Sequence, residues 1–240
     1  MKTEILKNYD EVSARAAEIV SEAIRKKPDI TLGLPTGETP IGLYDRLSDL
    51  YRKGELDFSR VTTFNLDEYY PIDPENPESY RYFMNSHLFS RVNIPIESTH
   101  VPPGNALDPT EAADSYEKSI ISHGGVDLQV LGIGRNGHIG FNEPGGSFDT
   151  PTHCVTLTES TIEANARLFD SADDVPRRAL TMGIGTILSA RKILILITGK
   201  EKHDALKTLL AGRETPDCPA TALLRHPDVT VLVDKAAYGD

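Results

Sequence analysis

Apolar and polar residues alternate along the chain in two patterns, which together predict helices between short buried strands. Between residues 10 and 26 the apolar positions share one helical face, and Pro28 ends the helix. Apolar runs typical of buried strands lie at 30–34, 61–66, 126–133, 153–157, 193–198 and 229–234. The remaining helices are predicted at 40–53, 79–88, 110–122, 162–169 and 200–210. This order predicts an α/β, Rossmann-like fold: a mostly parallel sheet with helices on both faces.

Composition changes this picture little. The chain has 240 residues without a linker or a break in composition, so we expect a single domain over 1–240. With 39% hydrophobic and 25% charged residues, no signal peptide and no apolar run near ~20 residues, we expect a cytoplasmic protein that does not bind membranes. Cys154 and Cys218 are too few for a disulfide framework, which favours two reduced thiols.

The net charge of -11 argues against a nucleic-acid partner, because such proteins usually carry a basic patch. It does not exclude a small anionic substrate. Surface charges beyond the Debye length of ~8 Å are largely screened, so a few cations and backbone N–H groups in a cleft can bind an anion.

The glycine-rich segment 132–146 follows a predicted central strand and carries His138 and Glu143. Residues at the carboxyl ends of parallel strands lie where open α/β sheets bind ligands. Residues 132–137 also match the dinucleotide fingerprint G-x-G-x-x-G, but Pro144 and paired glycines follow, so no helix is expected to open there. His138 is therefore an acid/base candidate that Glu143 could orient, and a histidine bonded only to backbone is the alternative. No histidine has metal-ligand spacing, so no metal is expected.

The first strand-to-helix turn, GLPTGETP, is a candidate phosphate cradle with Thr36, Gly37 and Thr39. Free N–H groups at a helix start favour an anion. The alternative is an ordinary helix with Thr39 as its N-cap and Pro40 at its first position. A phosphate here requires the Glu38 side chain to face solvent.

The next strand ends in TFNLDEYYP, which places Asp67 and Glu68 at the same edge. Side chains alternate along a strand, so at most one of the two acids faces a given pocket, and we select Asp67. The alternative is that both are solvated loop residues or helix caps.

Two cations complete the candidate site. Arg167 lies on the predicted helix at 162–169, and Lys202 lies in the first turn of the predicted helix at 200–210. Either could hold a phosphate, although a solvated side chain is the default for both. Lys202 is favoured because helix N–H groups also point outward there, and Lys200 could replace it.

Several of these segments resemble the glucosamine-6-phosphate deaminases, in the wider group with the 6-phosphogluconolactonases. The resemblance covers nearly the whole chain and is carried by LGLPTGETP, VTTFNLDEYY, PESYRYFM, GIGRNGHIGFNEPG and ANARLFD. FNLDEY together with GHIGFNEP is its most specific part.

The resemblance implies conversion of glucosamine 6-phosphate and water into fructose 6-phosphate and ammonia, in amino-sugar catabolism, without a cofactor. By similarity, His138 opens the sugar ring with support from Asn136 and Glu143, and Asp67 is the base at C2. The implied phosphate ligands are Thr36, Gly37, Thr39, Arg167 and Lys202. A lactonase-like hydrolase and a non-catalytic sugar-phosphate sensor are the alternatives. A lactonase is expected to tolerate Asp67→Asn, and the intact acid/base groups disfavour the sensor.

Two departures from relatives change the expectations. Many relatives carry aspartate where this chain has Asn136, and we expect a lower pKa for His138 here. Some relatives are hexamers activated by N-acetylglucosamine 6-phosphate through basic residues after NEP and a longer C-terminal region. Here His153 is the only potentially basic group in that segment, so we expect no activator site and a monomer or small homo-oligomer.

Overall fold

A computed structural model of the chain describes residues 1–166, 169, 171 and 174–239. The strands are β1 (Lys2–Leu6), β2 (Thr31–Leu34), β3 (Thr62–Asn65), β4 (Asp67–Tyr70), β5 (Thr99–His100), β6 (Leu128–Leu131), β7 (His153–Thr156), β8 (Arg178–Thr181), β9 (Ile193–Ile197) and β10 (Val229–Asp234). The α-helices are α1 (Tyr9–Lys26), α2 (Ile41–Arg52), α3 (Tyr80–His87), α4 (Pro109–Ser122), α5 (Glu159–Asn165), α6 (Ile184–Leu188), α7 (His203–Leu210) and α8 (Lys235–Tyr238). Short 3₁₀ helices span Phe89–Arg91, Ile96–Ser98, Lys200–Lys202 and Pro219–Arg225.

The main sheet has the strand order β1-β10-β9-β6-β2-β3-β5, and each neighbouring pair in it is parallel. Because all these strands run the same way, their carboxyl ends meet at one edge. The predicted mostly parallel sheet is confirmed.

Side-chain alternation gives this sheet a core on each face. Along β9, Leu194 and Leu196 pack into a cluster with α1 and α2. Ile195, which lies between them, packs on the opposite face against α4, α6 and α7. Strands buried on both faces need continuous apolar runs, which is why the pattern predicted them.

A second, smaller sheet departs from the prediction. Strands β4, β8 and β7 pair antiparallel in the order β4-β8-β7, so the strand expected at 153–157 is present but does not belong to the parallel sheet. Leu66 alone separates β3 from β4, and the chain passes there from the main sheet to the small one. The edge strands β1 and β5 and the strands β4 and β8 were not predicted.

Three helices begin or end at residues other than the predicted ones. The helix expected at 162–169 is α5, which begins at Glu159 and ends at Asn165. Helix α2 begins at Ile41 with Pro40 at its N-cap, where no side chain caps it, so both the Thr39 cap and the placement of Pro40 at the first position were wrong. The segment 200–210 begins as a 3₁₀ helix and becomes α7 only at His203.

No helix in the described part of the chain is both long and apolar enough to cross a membrane.

Candidate active site

A cavity of about 1040 Å³ opens at the edge where the parallel strands end. Its walls come from the segments that directly follow β2, β3, β6 and β9, together with the last residue of β10. Separate parts of the sequence are thereby brought to one place. Most of the candidate residues lie on these walls: Thr36, Gly37, Thr39, Asp67, Asn136, His138 and Lys202.

Asp67 is the first residue of β4, and its side chain reaches the cavity from the junction of the two sheets. Asp67 is only 7% exposed, and within the described residues no hydrogen bond reaches its carboxyl group. Burial, together with the negative charge of Glu68, raises the pKa of Asp67 to about 8. An unsolvated carboxylate of this kind has a strong affinity for a proton.

Glu68 points away from the cavity, as alternation along a strand requires. Its carboxylate accepts backbone N–H bonds at the start of α3. The expectation that at most one of the two acids faces the pocket is confirmed.

The His138 ring is held by a chain of hydrogen bonds. Asn136 Nδ2 donates to Glu143 Oε2 at 2.7 Å, which leaves Asn136 Oδ1 as the acceptor for His138 Nδ1 at 2.7 Å. Thr161 Oγ1 donates to Glu143 Oε1 at 2.7 Å, and the same oxygen lies 3.6 Å from His138 Nδ1. With its hydrogen on Nδ1, a neutral His138 has a free lone pair on Nε2. The alternative that His138 bonds only to backbone is wrong.

Burial lowers the pKa of His138 from its usual value, and the Lys202 cation acts in the same direction. The Glu143 carboxylate opposes both. The imidazole is therefore poised to be neutral at physiological pH.

Gly140 brings the histidine turn close to Asp67. It has φ +58°, and a Cβ added to it would lie 3.5 Å from Asp67 Oδ2 and 2.9 Å from Thr181 Oγ1. Only glycine adopts this backbone without strain while leaving room for both side chains. No helix begins between residues 132 and 152, as expected for a turn that is not a dinucleotide fingerprint.

The turn at 35–39 lies at the start of α2 and forms another wall of the cavity. Tyr9 fixes this turn: its hydroxyl donates to Glu38 O at 3.1 Å and accepts from Gly42 N at 2.8 Å. Glu38 is exposed at the rim and close enough to Lys202 to raise its pKa, against the larger lowering by burial. The turn thus combines hydroxyls, backbone N–H groups and a neighbouring cation.

Of the two candidate lysines, Lys202 lines the cavity and Lys200 is exposed outside it. Gly199, which precedes both, donates its N–H to both oxygens of Asp234, the last residue of β10, at 3.2 and 3.1 Å. Arg167, the other predicted phosphate ligand, lies outside the residues that the structure describes.

The cavity residues that sequence reasoning missed include Tyr9, Tyr80 and Arg135. Arg135 lies between two residues of the glycine-rich turn, and its position beside Asn136 was a usable signal. Tyr9 and Tyr80 reach the cavity from helices far away in sequence, and no local pattern indicates that.

Among the described residues, no group of three or more His, Cys, Asp or Glu side chains is arranged to hold a metal ion.

A family model described as glucosamine-6-phosphate isomerases/6-phosphogluconolactonase matches residues 7–232. The chain belongs to this family. Among its members, the glucosamine-6-phosphate deaminase of Thermoanaerobacter pseudethanolicus is 53% identical over 237 residues, covering 99% of this chain and 94% of that protein. The deaminase of Halothermothrix orenii is 51% identical, covering 99% and 98%.

A solved structure of a monomeric glucosamine-6-phosphate deaminase superposes with a TM-score of 0.97 at 48% identity, covering 100% of this chain and 99% of that one. The fold of the family is therefore present over the full length of the chain.

Proposed function

We propose that the protein converts glucosamine 6-phosphate and water into fructose 6-phosphate and ammonia. The observation that carries this proposal is the presence on one cavity of a desolvated carboxylate, Asp67, and an oriented imidazole, His138. The reaction needs both, because it combines ring opening with removal of a proton from carbon. Similarity to named deaminases over the full chain supports the choice of substrate.

His138 opens the sugar ring. Its Nε2 takes the proton from the C1 hydroxyl and returns a proton to the ring oxygen, so the C1–O5 bond breaks and C1 becomes an aldehyde. Asn136 and Glu143 keep the ring of His138 in the tautomer that this step requires. A positioned general acid/base of this kind contributes ~100- to 10,000-fold.

Asp67 then carries out the isomerisation. Its carboxylate removes the proton from C2 and returns it to C1, while a proton passes from the amine nitrogen to the C1 oxygen. C1 thereby becomes a hydroxymethyl group and C2 an imine. Water adds to the imine carbon, and ammonia departs as the C2 ketone forms. The raised pKa of Asp67 supports this role, because a carboxylate that binds protons more tightly is a stronger base.

The phosphate binds at the wall that Thr36, Gly37 and Thr39 form, with Lys202 as a cation. Helix N-termini and a desolvated ammonium favour an anion here. Arg167 is a further proposed ligand, on the grounds of sequence resemblance alone. Binding at this remote end fixes the geometry in which His138 and Asp67 act.

The decisive experiment incubates the purified protein with glucosamine 6-phosphate and a metal chelator, and measures ammonia and fructose 6-phosphate together. Equal amounts of both products are expected. Binding without turnover would favour a sensor, and hydrolysis of 6-phosphogluconolactone without ammonia release from the amino sugar would favour a lactonase.

The assembly and location follow as smaller parts of the proposal. We expect residues 1–240 to unfold as one domain, the protein to act in the cytoplasm, and the particle to be a monomer or small oligomer without activation by N-acetylglucosamine 6-phosphate. Sedimentation as a hexamer, or acceleration by that compound in a rate assay, would contradict the last two points.

A further inference from the structure

Glu68 is a buried acid that the proposed reaction does not use. Its side chain is 2% exposed and does not line the cavity. Its Oε1 accepts the N–H groups of Tyr69 and Tyr80, and its Oε2 accepts the N–H of Arg81, each at 2.9 Å. Three amide donors on one carboxylate make a specific arrangement rather than incidental burial.

Two of these donors belong to the first turn of α3, whose N-terminal N–H groups have no partner inside the helix. Ser79 caps the same turn by accepting from Tyr82 N at 3.0 Å. A carboxylate at a helix N-terminus is also favoured by the helix dipole. Glu68 therefore fastens α3 to β4.

Tyr80 is the first residue of that helix, and its ring lines the cavity. The ring stacks parallel to Phe141, with centroids 6.1 Å apart and an interplanar angle of 3°. Phe141 follows Gly140 in the turn that carries His138. The position of this aromatic wall thus depends on the bonds that Glu68 makes.

Building on the proposed deaminase reaction, we propose that Glu68 is a positioning residue: it holds the first turn of α3 and the Tyr80 ring against the cavity, and when ionised it places a negative charge beside Asp67. The same side chain then sets both the shape of the wall and the basicity of the neighbouring carboxylate.

The surrounding groups leave Glu68 as the main charge acting on Asp67. Tyr69, Tyr80 and Tyr116 lie near the pair, and burial raises the pKa of each, so they are neutral across the working range. Arg81 is the cation beside Glu68, and His138 lines the same cavity as Asp67.

The pKa values of both Glu68 and Asp67 are raised. Burial raises the pKa of Glu68 to about 7, less than for Asp67 because three amide bonds favour the carboxylate form of Glu68. As the pH rises, Glu68 ionises first, and its charge then opposes ionisation of Asp67.

The test compares Glu68→Gln, Glu68→Asp and the control Glu78→Gln. Glu78 lies two residues before Tyr80, and within the described residues its carboxylate accepts no hydrogen bond from α3. Glu78→Gln removes the same charge near the same helix start without disturbing the three amides.

In Glu68→Gln the negative charge is lost, and an N–H₂ group, which donates and cannot accept, replaces one of the two oxygens. Glutamine therefore cannot accept from all three backbone donors. The acid limb of the kcat/KM profile should move to lower pH by about half a unit or more. In Glu68→Asp the charge stays but the shorter side chain loses its reach, so kcat/KM should fall about 10-fold with the acid limb in place. Glu78→Gln should match the wild type. An acid limb that is unmoved in Glu68→Gln, or an unchanged kcat/KM in Glu68→Asp, would overturn the proposal.

A second measurement does not depend on catalysis. With ¹³C-labelled aspartate, the carboxyl signal of Asp67, assigned by its loss in Asp67→Asn, should titrate at lower pH in Glu68→Gln than in wild type. A wild type that releases no ammonia refutes the deaminase function, while the titration still decides the electrostatic part of the proposal for Glu68. If Glu68→Gln does not fold, Glu68→Asp alone decides it through kcat/KM and its profile.

Discussion

Asp67 and His138 border one cavity, but their surroundings shift their proton affinities in opposite directions. Asp67 is buried without a hydrogen-bond partner in the described residues, and its pKa is raised to about 8. His138 is held through Asn136 and Glu143, and its pKa is lowered. Burial disfavours the charged form of each group, which makes the acid a stronger base and the imidazole a neutral one. The difference assigns two roles to two side chains in one solvent-poor site.

The largest expected effect comes from Asp67→Asn, which removes the basic member of the pair. We expect deaminase activity to fall ~100- to 10,000-fold, because the amide cannot take the C2 proton. Substrate binding, measured by calorimetry, should change little, since the phosphate wall is untouched. Activity within a few-fold of wild type would contradict the role of base.

The same variant tests the electrostatic cost of Asp67. The pKa of Asp67 is about 8 in the folded protein, above its reference value of 3.8, so the folded state binds this proton more tightly than the unfolded state does. The free energy of unfolding therefore decreases as the pH rises from about 4 to about 8. Asp67→Asn removes this loss. Its melting temperature should therefore exceed that of wild type by more at pH 9 than at pH 5.

Glu143→Gln weakens the hydrogen bonds that hold His138, the other member of the pair. The glutamate accepts from Asn136 and Thr161 and raises the pKa of His138. Charged hydrogen bonds are worth about 1.5–3 kcal/mol, so the rate should fall ~10- to 100-fold. The pKa of His138, followed by NMR of its ring protons, should drop further, and Glu159→Gln on the exposed face of α5 serves as a control.

Lys202→Ala should raise KM for glucosamine 6-phosphate about 10-fold, because a cation on the phosphate wall is lost. The pKa of His138 should rise as well, since Lys202 lowers it. Lys200→Ala is the matched control, because Lys200 is exposed outside the cavity. Equal effects of the two substitutions would refute a specific role for Lys202.

The smallest effect is expected from Asn136→Asp. The new carboxylate would raise the pKa of His138, but Asn136 Nδ2 now lies 2.7 Å from Glu143 Oε2, and two carboxylates at that distance retain a proton between them. The pKa of His138, followed by NMR of its ring protons, should therefore rise by only about half a unit, less than a full added charge would produce. An unchanged pKa would show that the amide already supplies all the support that His138 uses.

The five inner parallel strands were predictable from sequence because a strand covered on both faces has to be apolar throughout. The small sheet was not, because β4 reads DEYY and its acids pack against α3 and the cavity rather than into an apolar core. Strand β7 was found, but apolar content does not reveal a strand's partner, so it was placed in the wrong sheet.

More of the site than of the small sheet could be predicted from local sequence patterns. Alternation predicted that at most one of Asp67 and Glu68 faces the pocket, and the glycine-rich turn indicated His138 and Glu143. Tyr9 and Tyr80 were not predicted, because their positions depend on how α1 and α3 pack onto the sheet. Long-range packing of this kind has no signature within a short window of sequence.

The strand order has a consequence for synthesis on the ribosome. The edge strand β1 pairs only with β10 among the described strands, at Val229–Asp234. Strand β1 therefore has no partner until β10 has been translated, and Asp234, which anchors Gly199 ahead of Lys202, is the last residue of that strand. The nascent chain can assemble its central strands before then, but the phosphate wall becomes complete only after β10 has emerged.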